Sequence, residues 1–367
     1  MVLFDVTVVG SCNSDLSAFT NVFPNVGETV IGTSFTMGLG GKGANQSVAA
    51  RVLGCEVALV AKVGSDSFGK NFVSRLDALG IASHGVTEST GASTGVAFVI
   101  VECDRGQNRI IVIPGANKHL TPGDIDSAVT RNLLDCHVLV CQFEINVLTT
   151  LHSLRLARKH GAVTILNPAP PLKHSSELQP SGDGDLIREL LSTCDYCCPN
   201  ETEAAHLVDH VPSVDFSLDS KENNAHVIPP VFIECLNWMR EQGVKYPVIT
   251  LGSMGALALI SNDTMHESQS DVVVVQCTGS GTVVQVRAPL ITNVVDTTGA
   301  GDCFIGALSF FIARYPQLSV IERLRRAVWV ASQSVRREGT QSSYPNRNEL
   351  PSELFETSTF TWPNVPI

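Results

Sequence analysis

The sequence predicts a three-layer α/β/α sandwich around a mostly parallel central sheet, with a small second β-sheet as a lid. Three observations support this fold class. Apolar runs typical of strands alternate with helical patterns along most of the chain, and the helical patterns end at glycines. Such alternation indicates β-α-β units, whose helices cover both faces of a parallel sheet. Two segments in the first third of the chain break the alternation and predict strands without an intervening helix.

The elements of the main sheet follow one another in a regular order. The predicted strands are residues 6–9, 57–60, 138–142, 163–166 and 248–251. The predicted helices are residues 44–53, 68–79, 148–160 and 231–242. We expect residues 1–350 to form one α/β domain and residues 351–367 to form a weakly ordered C-terminal tail. The polar stretches 212–230 and 261–282 predict surface insertions, whose role the sequence leaves open.

The two segments that break the alternation predict the lid. Residues 28–37 and 95–113 have the composition of strands, and the second segment turns at Asp104-Arg105-Gly106, as a hairpin does. With their flanks they predict lid strands within about 14–40 and 94–115. A small sheet beside a glycine-rich loop would exclude water from a site beneath it.

A turn of small residues closes the last β-α unit. Residues 291–295 predict a strand, Asp296-Thr297-Thr298-Gly299-Ala300-Gly301-Asp302 the turn, and the apolar residues 303–312 a buried helix. Free N–H groups and the positive end of a helix favour an anion here. The carboxylate of Asp302 would suit a site in which it takes a proton from an attacking hydroxyl while the amides stabilise phosphate charge. A helix cap is the alternative role of Asp302, and these residues alone leave both open.

A second glycine-rich loop, Gly38-Leu39-Gly40-Gly41-Lys42-Gly43-Ala44-Asn45-Gln46, predicts a polyol site. A dinucleotide site would need an acidic residue at the end of the following strand, and a P-loop would need Ser or Thr after Lys42. The sequence meets neither requirement. The loop instead offers backbone amides with Lys42 and Asn45 as donors, while Asn13 and Asp15 follow the first strand in a good position to bind hydroxyl groups.

Composition excludes several classes of function. The formal net charge is −11 and the pI is near 5.3, which argues against nucleic acid or an anionic membrane as a partner. No apolar run is long enough for a transmembrane helix, and the N-terminus has no signal-peptide pattern. Eleven cysteines in apolar runs suit reduced, buried thiols. We therefore expect a cytoplasmic protein, with the nucleus as an alternative location.

Eight motifs together resemble the ribokinase-like members of the PfkB sugar-kinase family. They occur in the family's order, and the resemblance extends from about Val6 to Pro345, with the last motif resembling eukaryotic members in particular. The motifs are Gly10-Ser11-Cys12-Asn13-Ser14-Asp15, Pro24-x-x-Gly27-Glu28-Thr29, Gly40-Gly41-Lys42-Gly43-Ala44-Asn45-Gln46, Asn167-Pro168-Ala169-Pro170, Asn200-Glu201-Thr202-Glu203-Ala204, Thr250-Leu251-Gly252, the 296–302 turn, and Gly339-Thr340-Gln341-Ser342-Ser343-Tyr344-Pro345.

The resemblance implies a role for each motif. Asp302 would be the general base, and the amides of Gly299, Ala300 and Gly301 would form the anion hole. The residues implied for the sugar are Asn13, Asp15, Gly41, Lys42, Asn45, Glu144 and Asp302. Those implied for ATP are Asn200, Glu203, Thr250, Gly252, Gly255 and Gly301. Those implied for an activating monovalent cation, normally K⁺, are Asp296, Thr298, Ser334, Arg337, Gly339 and Ser343, the later ones through backbone oxygens.

The activity implied by this resemblance is ATP-dependent phosphorylation of D-ribose at its 5-hydroxyl, with Mg²⁺ accompanying the ATP. A homodimer through paired lid sheets is implied as well, because the lid strands carry apolar residues at exposed edges. Two alternatives stay open. One is a related kinase of deoxyribose, a ketohexose or a nucleoside, and the other is a sugar-binding regulator without catalysis. Phe143 and Val328 depart from the family pattern near the sugar and the adenine respectively.

Overall fold

In this computed structural model, residues 3–103, 107–171, 183–208, 228–261 and 270–358 are described. The predicted Asp104-Arg105-Gly106 turn and most of the 212–230 insertion lie outside these residues. The strands in chain order are β1 (Phe4–Val9), β2 (Asn13–Thr20), β3 (Ser34–Gly40), β4 (Val57–Gly64), β5 (Val86–Ser89), β6 (Gly95–Glu102), β7 (Gln107–Ile113), β8 (Cys136–Cys141), β9 (Val163–Leu166), β10 (Tyr196–Cys197), β11 (Tyr246–Thr250), β12 (Ala256–Ile260), β13 (Val272–Thr278) and β14 (Gly281–Val286).

The helices complete the β-α-β units. In chain order they are α1 (Lys42–Val52), α2 (Ser67–Leu79), α3 (Pro122–Thr130), α4 (Val147–Lys159), α5 (Asp183–Thr193), α6 (Glu201–Val208), α7 (Pro230–Glu241), α8 (Ala300–Arg314) and α9 (Val320–Ser334). None of these helices, within the described ranges, is long and apolar enough to cross a membrane.

The main sheet has the order β13-β14-β12-β11-β10-β9-β8-β1-β4-β5. Strands β11 to β5 of this order run parallel, and β12, β13 and β14 extend the sheet antiparallel. Val6 and Val8 of β1 pack in one apolar cluster with α1, α8 and α9, whereas Val9 packs in a second cluster with α3, α4 and α7. Helices therefore cover both faces, which confirms the predicted three-layer sandwich.

The lid is a separate four-stranded sheet with the order β3-β2-β6-β7. Directly paired residues share a face, so Met37, Leu16, Phe98 and Ile111 form one row across the outer side. Asp15, in the next row, points to the other face. The chain leaves the main sheet at the end of β1 and enters the lid as β2, so the lid starts at the end of a central parallel strand.

A buried ion cluster joins α9 to the sheet edge and to the C-terminal segment. Arg325 donates to both carboxylate oxygens of Asp271, which precedes β13, and also to Glu322. Arg326 donates to Glu322 and to the backbone carbonyls of residues 354, 356 and 358. All four side chains are buried. Buried charges of this kind are tolerated only where each is paired and hydrogen-bonded.

Four expectations about the elements need correction. Residues 291–295 are not a strand, because Val294 and Val295 are exposed and the backbone of Val295 and Asp296 pairs only with the carbonyl of Val335. The strand predicted at 28–37 begins only at Ser34. Asn13 and Asp15 follow β1, as expected, and belong to lid strand β2.

The third and fourth corrections concern the predicted surface insertion 261–282 and the predicted C-terminal tail. Residues 262–269 lie outside the described ones, but Val272–Thr278 form edge strand β13 of the main sheet, paired with β14. The predicted tail also begins as packed structure, since Ser352–Phe355 form a 3-10 turn with Leu354 buried and Phe355 against Phe310 and Phe311. Residues 359–367 lie outside the described part.

Candidate active site

The turn before α8 forms the floor of the site. Gly299 is the N-cap with a left-handed backbone (φ 77°), and no side chain caps the start of α8. The N–H of Ala300 donates to the Thr297 carbonyl at 3.2 Å. A Cβ atom on Gly299 would lie 2.4 Å from the Thr340 methyl group and 2.9 Å from the Tyr344 hydroxyl. That hydroxyl donates to the Gly299 carbonyl. The turn is therefore fixed from behind, and the positive end of α8 that follows it favours an anion.

Asp302 is buried and is held by two side-chain amides of α1. Asn45 Nδ2 donates to Oδ2 at 2.9 Å, and Gln46 Nε2 donates to Oδ1 at 2.9 Å. Gln341 in turn donates to Asn45 Oδ1 at 3.0 Å, which fixes the orientation of that amide. The carboxylate thus binds side chains of α1 and does not cap α8, so the helix-cap interpretation does not hold.

The glycine-rich loop enters α1 beside the end of β1. Gly41 has φ 88°, and a Cβ atom there would lie 2.8 Å from the backbone nitrogen of Asn13, so this position requires glycine. The backbone N–H of Lys42 donates to Glu144 at 3.0 Å, and Ser11 Oγ donates to the same carboxylate oxygen. Glu144 follows β8, where α/β proteins form their sites.

Asn13 is oriented by a residue that the sequence did not indicate, Asn117. The buried Asn117 accepts from the N–H of Cys12 and donates to the Cys12 carbonyl, to Asn13 Oδ1 at 2.8 Å and to the Pro114 carbonyl. Its own orientation is fixed because backbone N–H groups only donate and carbonyls only accept. Asn13 Oδ1 is therefore occupied, and its Nδ2 remains as a donor for a ligand.

Carboxylates crowd the part of the site beside the lid. Burial, with Glu144 and Asp302 nearby, raises the pKa of Asp15 to about 7. Lys42 is the cation among them: burial alone would lower its pKa, but Asp302, Glu203 and Glu144 outweigh burial and raise it. Lys42 is therefore a charged donor at the centre of the cluster and not a solvated surface lysine.

A cavity of about 170 Å³ extends from Asp302 to the other side of the site. Asn200 and Glu203 form a reciprocal cap at the start of α6, with each backbone N–H bonded to the other side chain, and burial raises the pKa of Glu203. Gly252 and Gly255 form the turn after β11 but do not line the cavity. The lining residues are Lys42, Asn167, Cys198, Asn200, Glu203, Thr250, Gly299, Gly301, Asp302 and Ile305.

The two residues that depart from the family pattern are both buried. Phe143 packs in the cluster that contains α4 and α7, directly before Glu144. Val328 packs with α8 in the other cluster. Neither lines the cavity beside Asp302.

The residues implied for a monovalent cation are brought together only in part. Asp296 accepts from the backbone N–H groups of Thr298 at 2.9 Å and Gly339 at 3.0 Å, so the two loops meet at this carboxylate. Ser334 and Ser343 donate their hydroxyls to carbonyls of their own segments. Arg337 turns outward and pairs with Glu349 at 3.0 Å, so only its backbone could face an ion.

Several residues of the site carried no assigned role at the sequence level. Ser11, Gln46 and Tyr344 lay within recognised motifs, so a signal existed for them. Asn117 and Gln142 act through contacts that join distant parts of the chain, such as Asn117 with Asn13. No local pattern marks such residues.

Comparison with known proteins agrees with this geometry. Residues 4–347 match the pfkB family carbohydrate kinases. A ribokinase of Mus musculus is 36% identical over 350 residues, which covers 95% of this chain and 94% of that one. A deoxyribokinase of Salmonella typhi is 34% identical over 350 residues, covering 93% and 96%. The structure of Arabidopsis thaliana ribokinase complexed with ribose and ATP superposes with a TM-score of 0.74 at 27% identity, covering 97% and 99%. The chain therefore belongs to the pfkB family of carbohydrate kinases and is an enzyme of its ribokinase-like branch.

Proposed function

We propose that this enzyme transfers the γ-phosphoryl group of ATP to the 5-hydroxyl of D-ribose. The observation that carries the proposal is the position of Asp302, between the hydroxyl-binding side chains of the lid and α1 and the cavity beside Asn200 and Glu203. Relatives named ribokinase, and one solved with ribose and ATP, support the choice of substrates.

The reaction needs a base, positioning and charge stabilisation. Asp302 accepts the proton as the sugar oxygen forms its bond to phosphorus, and the bond from phosphorus to the oxygen of the leaving ADP breaks. The amides of Gly299, Ala300 and Gly301 bind the charge on the transferring group, with Lys42 as a cation nearby. Asn13, Asp15, Asn45 and Glu144, with the Gly41 backbone, bind the sugar hydroxyls.

We propose two metal ions at the site, Mg²⁺ and K⁺. The buried carboxylate of Glu203, next to Asn200, suits Mg²⁺ with its water ligands, because this hard cation prefers oxygen. Bound Mg²⁺ would neutralise phosphate charge. For K⁺, Asp296 and Thr298, with backbone oxygens of Ser334, Arg337, Gly339 and Ser343, form the proposed set. K⁺ there would stabilise the turn that begins at Asp296 and continues into the anion hole.

The assay that tests the proposed function is ADP release with D-ribose, 2-deoxyribose, a ketohexose and a nucleoside, each with and without K⁺. Turnover with ribose that increases with K⁺ is the expected result. The deoxyribokinase relative makes 2-deoxyribose the second candidate, and preferred turnover of that sugar would keep the mechanism but change the substrate. Binding of ribose without turnover of any acceptor would leave a sugar-binding regulator.

Asp15 should make sugar binding pH-dependent. Since its pKa in the free protein is about 7, the carboxyl is protonated below that pH and loses its strength as a hydroxyl acceptor. We expect the KM for ribose to increase as the pH decreases below 7, by up to about tenfold per pH unit, and to level off above 8. Steady-state kinetics from pH 5.5 to 8.5 measures this. In Asp15→Asn the KM should be high and flat, and a wild-type slope in that variant would refute the assignment.

We also propose a homodimer through the outer face of the lid. Met37, Phe98 and Ile111 form an exposed apolar row there, with Ile111 64% exposed. An exposed apolar sheet face of this kind is typical of an interface. Ile111→Lys should weaken the dimer at least about 100-fold, as sedimentation velocity would report. Leu148→Lys, on the exposed side of α4, is the matched control and should leave the dimer intact. A monomeric wild type would end the proposal.

A cytoplasmic location is proposed as well. All eleven cysteines are free thiols, most of them buried, which suits a reducing compartment. Imaging of the tagged chain would test this, with a nuclear fraction as the alternative result.

A further inference from the structure

A chain of three buried amides, Gln46, Asn167 and Gln142, adjoins Asp302, and of these only Asn167 lines the cavity. Gln46 Nε2 donates to Asp302 Oδ1 at 2.9 Å and also to Asn167 Oδ1 at 3.1 Å. Gln142 Nε2 donates to Gln46 Oε1 at 2.6 Å. Asn167 Nδ2 donates to the carbonyl of Cys198 at 2.9 Å. The amides belong to α1 and to the segments that follow β8 and β9, so they join three elements around one carboxylate.

The orientation of each amide follows from groups that can only accept. The Cys198 carbonyl requires the nitrogen of Asn167, which turns the oxygen of Asn167 towards Gln46. Gln46 must then present its nitrogen, and the carboxylate oxygen of Asp302, as an acceptor, requires the same. The oxygen of Gln46 consequently faces Gln142, which must supply a donor. Rotating any one amide by 180° would set two acceptors or two donors against each other.

This arrangement has a free-energy cost that an apolar side chain at position 142 would avoid. Gln142 Oε1 is buried and has no hydrogen-bond partner among the described residues. A Cβ atom on Gly10 would lie 2.1 Å from that oxygen, so glycine there makes room for the side chain. An unpaired buried acceptor costs about 1–3 kcal/mol. An apolar side chain would avoid this cost, so the amide at Gln142 is explained by what it does for Gln46.

We propose that Gln46 is a positioning residue for Asp302: held by Gln142 and Asn167, it fixes one carboxylate oxygen and so keeps the carboxylate turned towards the acceptor hydroxyl. This inference rests on the proposed function, in which Asp302 is the base. Gln46 does not line the cavity and acts only through Asp302. Gln46 holds Oδ1 of Asp302 and Asn45 holds Oδ2. Asn45 is already assigned to the sugar, so Gln46 is the amide whose role is confined to Asp302. The charged groups around Asp302 are Lys42, Asp15 and Glu203.

The test is the pH dependence of kcat in Gln46→Glu. This isosteric change places a second carboxyl about 2.9 Å from Asp302 Oδ1, and two such groups share one proton near neutral pH. We expect kcat at pH 7 to fall about 10- to 100-fold, with recovery as the pH increases. The acid limb of the profile of kcat against pH should shift to higher pH, by at least about one pH unit. The KM values for sugar and ATP should stay within about threefold.

Three further variants make the result decisive. Gln46→Met removes the donor without adding charge and should lower kcat about tenfold at every pH, without moving the acid limb. Gln242→Glu adds the same charge at the end of α7 and should behave as wild type. Melting curves and calorimetric titration with ribose show whether each variant is folded. If Gln46→Glu does not fold, the test depends on Gln46→Met, and a wild-type kcat in that variant overturns the proposal. An unmoved acid limb in folded Gln46→Glu overturns it as well. Full activity in Asp302→Asn would instead refute the base itself.

Discussion

Replacing Asp302 with asparagine should lower kcat by about 10³-fold. The amide has nearly the same shape but cannot accept the proton of the attacking hydroxyl. The side chain would still contact Asn45 and Gln46, although one of these donors would face an NH₂ group and lose its acceptor. The KM values for sugar and ATP should therefore change little. The measurement is steady-state ADP release, with calorimetric titration of ribose to confirm that the site stays formed.

Asp77→Asn provides the matched control for this variant. Asp77 lies on the exposed side of α2, where it accepts from Ser83, so the same chemical change there should leave kcat as in the wild type. A loss of less than about tenfold in Asp302→Asn would be too small for removal of a general base. Asp302 would then be a residue that only binds the sugar.

The largest effect on stability is expected from Arg326→Met. Arg326 is fully buried and joins Glu322 to three backbone carbonyls of the C-terminal segment. Methionine fills much of the volume but leaves these acceptors without their donor, and it leaves Glu322 with Arg325 alone. Removing one partner of a buried ion pair costs about 3–5 kcal/mol, and we expect a loss of this size in urea unfolding.

Arg155→Met is the comparison for this experiment. Arg155 pairs with Glu189 on the surface between α4 and α5, with both side chains largely exposed. Surface pairs contribute at most about 1 kcal/mol, so this variant should unfold close to the wild type. Similar losses in both variants would mean that the buried cluster contributes no more than a solvated ion pair.

The fold was predictable wherever a local pattern determines the element. Apolar periodicity and terminal glycines predicted helix α2, because Gly80 adopts the left-handed backbone that ends it. The segment 291–295 failed for the opposite reason. Its β-branched residues favour a strand, but no strand among the described residues pairs with its backbone, and two valines remain exposed. Edge strand β13 was missed because polar residues on both sides of its four valines dominated the composition.

The site residues that belong to contiguous sequence motifs were predictable. The turn ending at Asp302 and the loop at Gly41 have backbone shapes that their own glycines permit. The residues that orient those groups were not visible. Asn117 lies 104 residues from Asn13, and Gln142 lies 96 residues from Gln46. Hydrogen bonds of that sequence separation are set by the packing of strands, which no single stretch of the chain encodes.

The two faces of the lid have a thermodynamic consequence. Asp15 points to the sugar side, while Met37, Phe98 and Ile111 form the outer surface of the same sheet. In the proposed dimer, any change of lid position on sugar binding alters the subunit interface. Linkage then requires dimerisation to change sugar affinity by the factor by which sugar changes dimer affinity. Sugar affinity would therefore vary with enzyme concentration near the dissociation constant of the dimer, and dilution alone would act as a regulator.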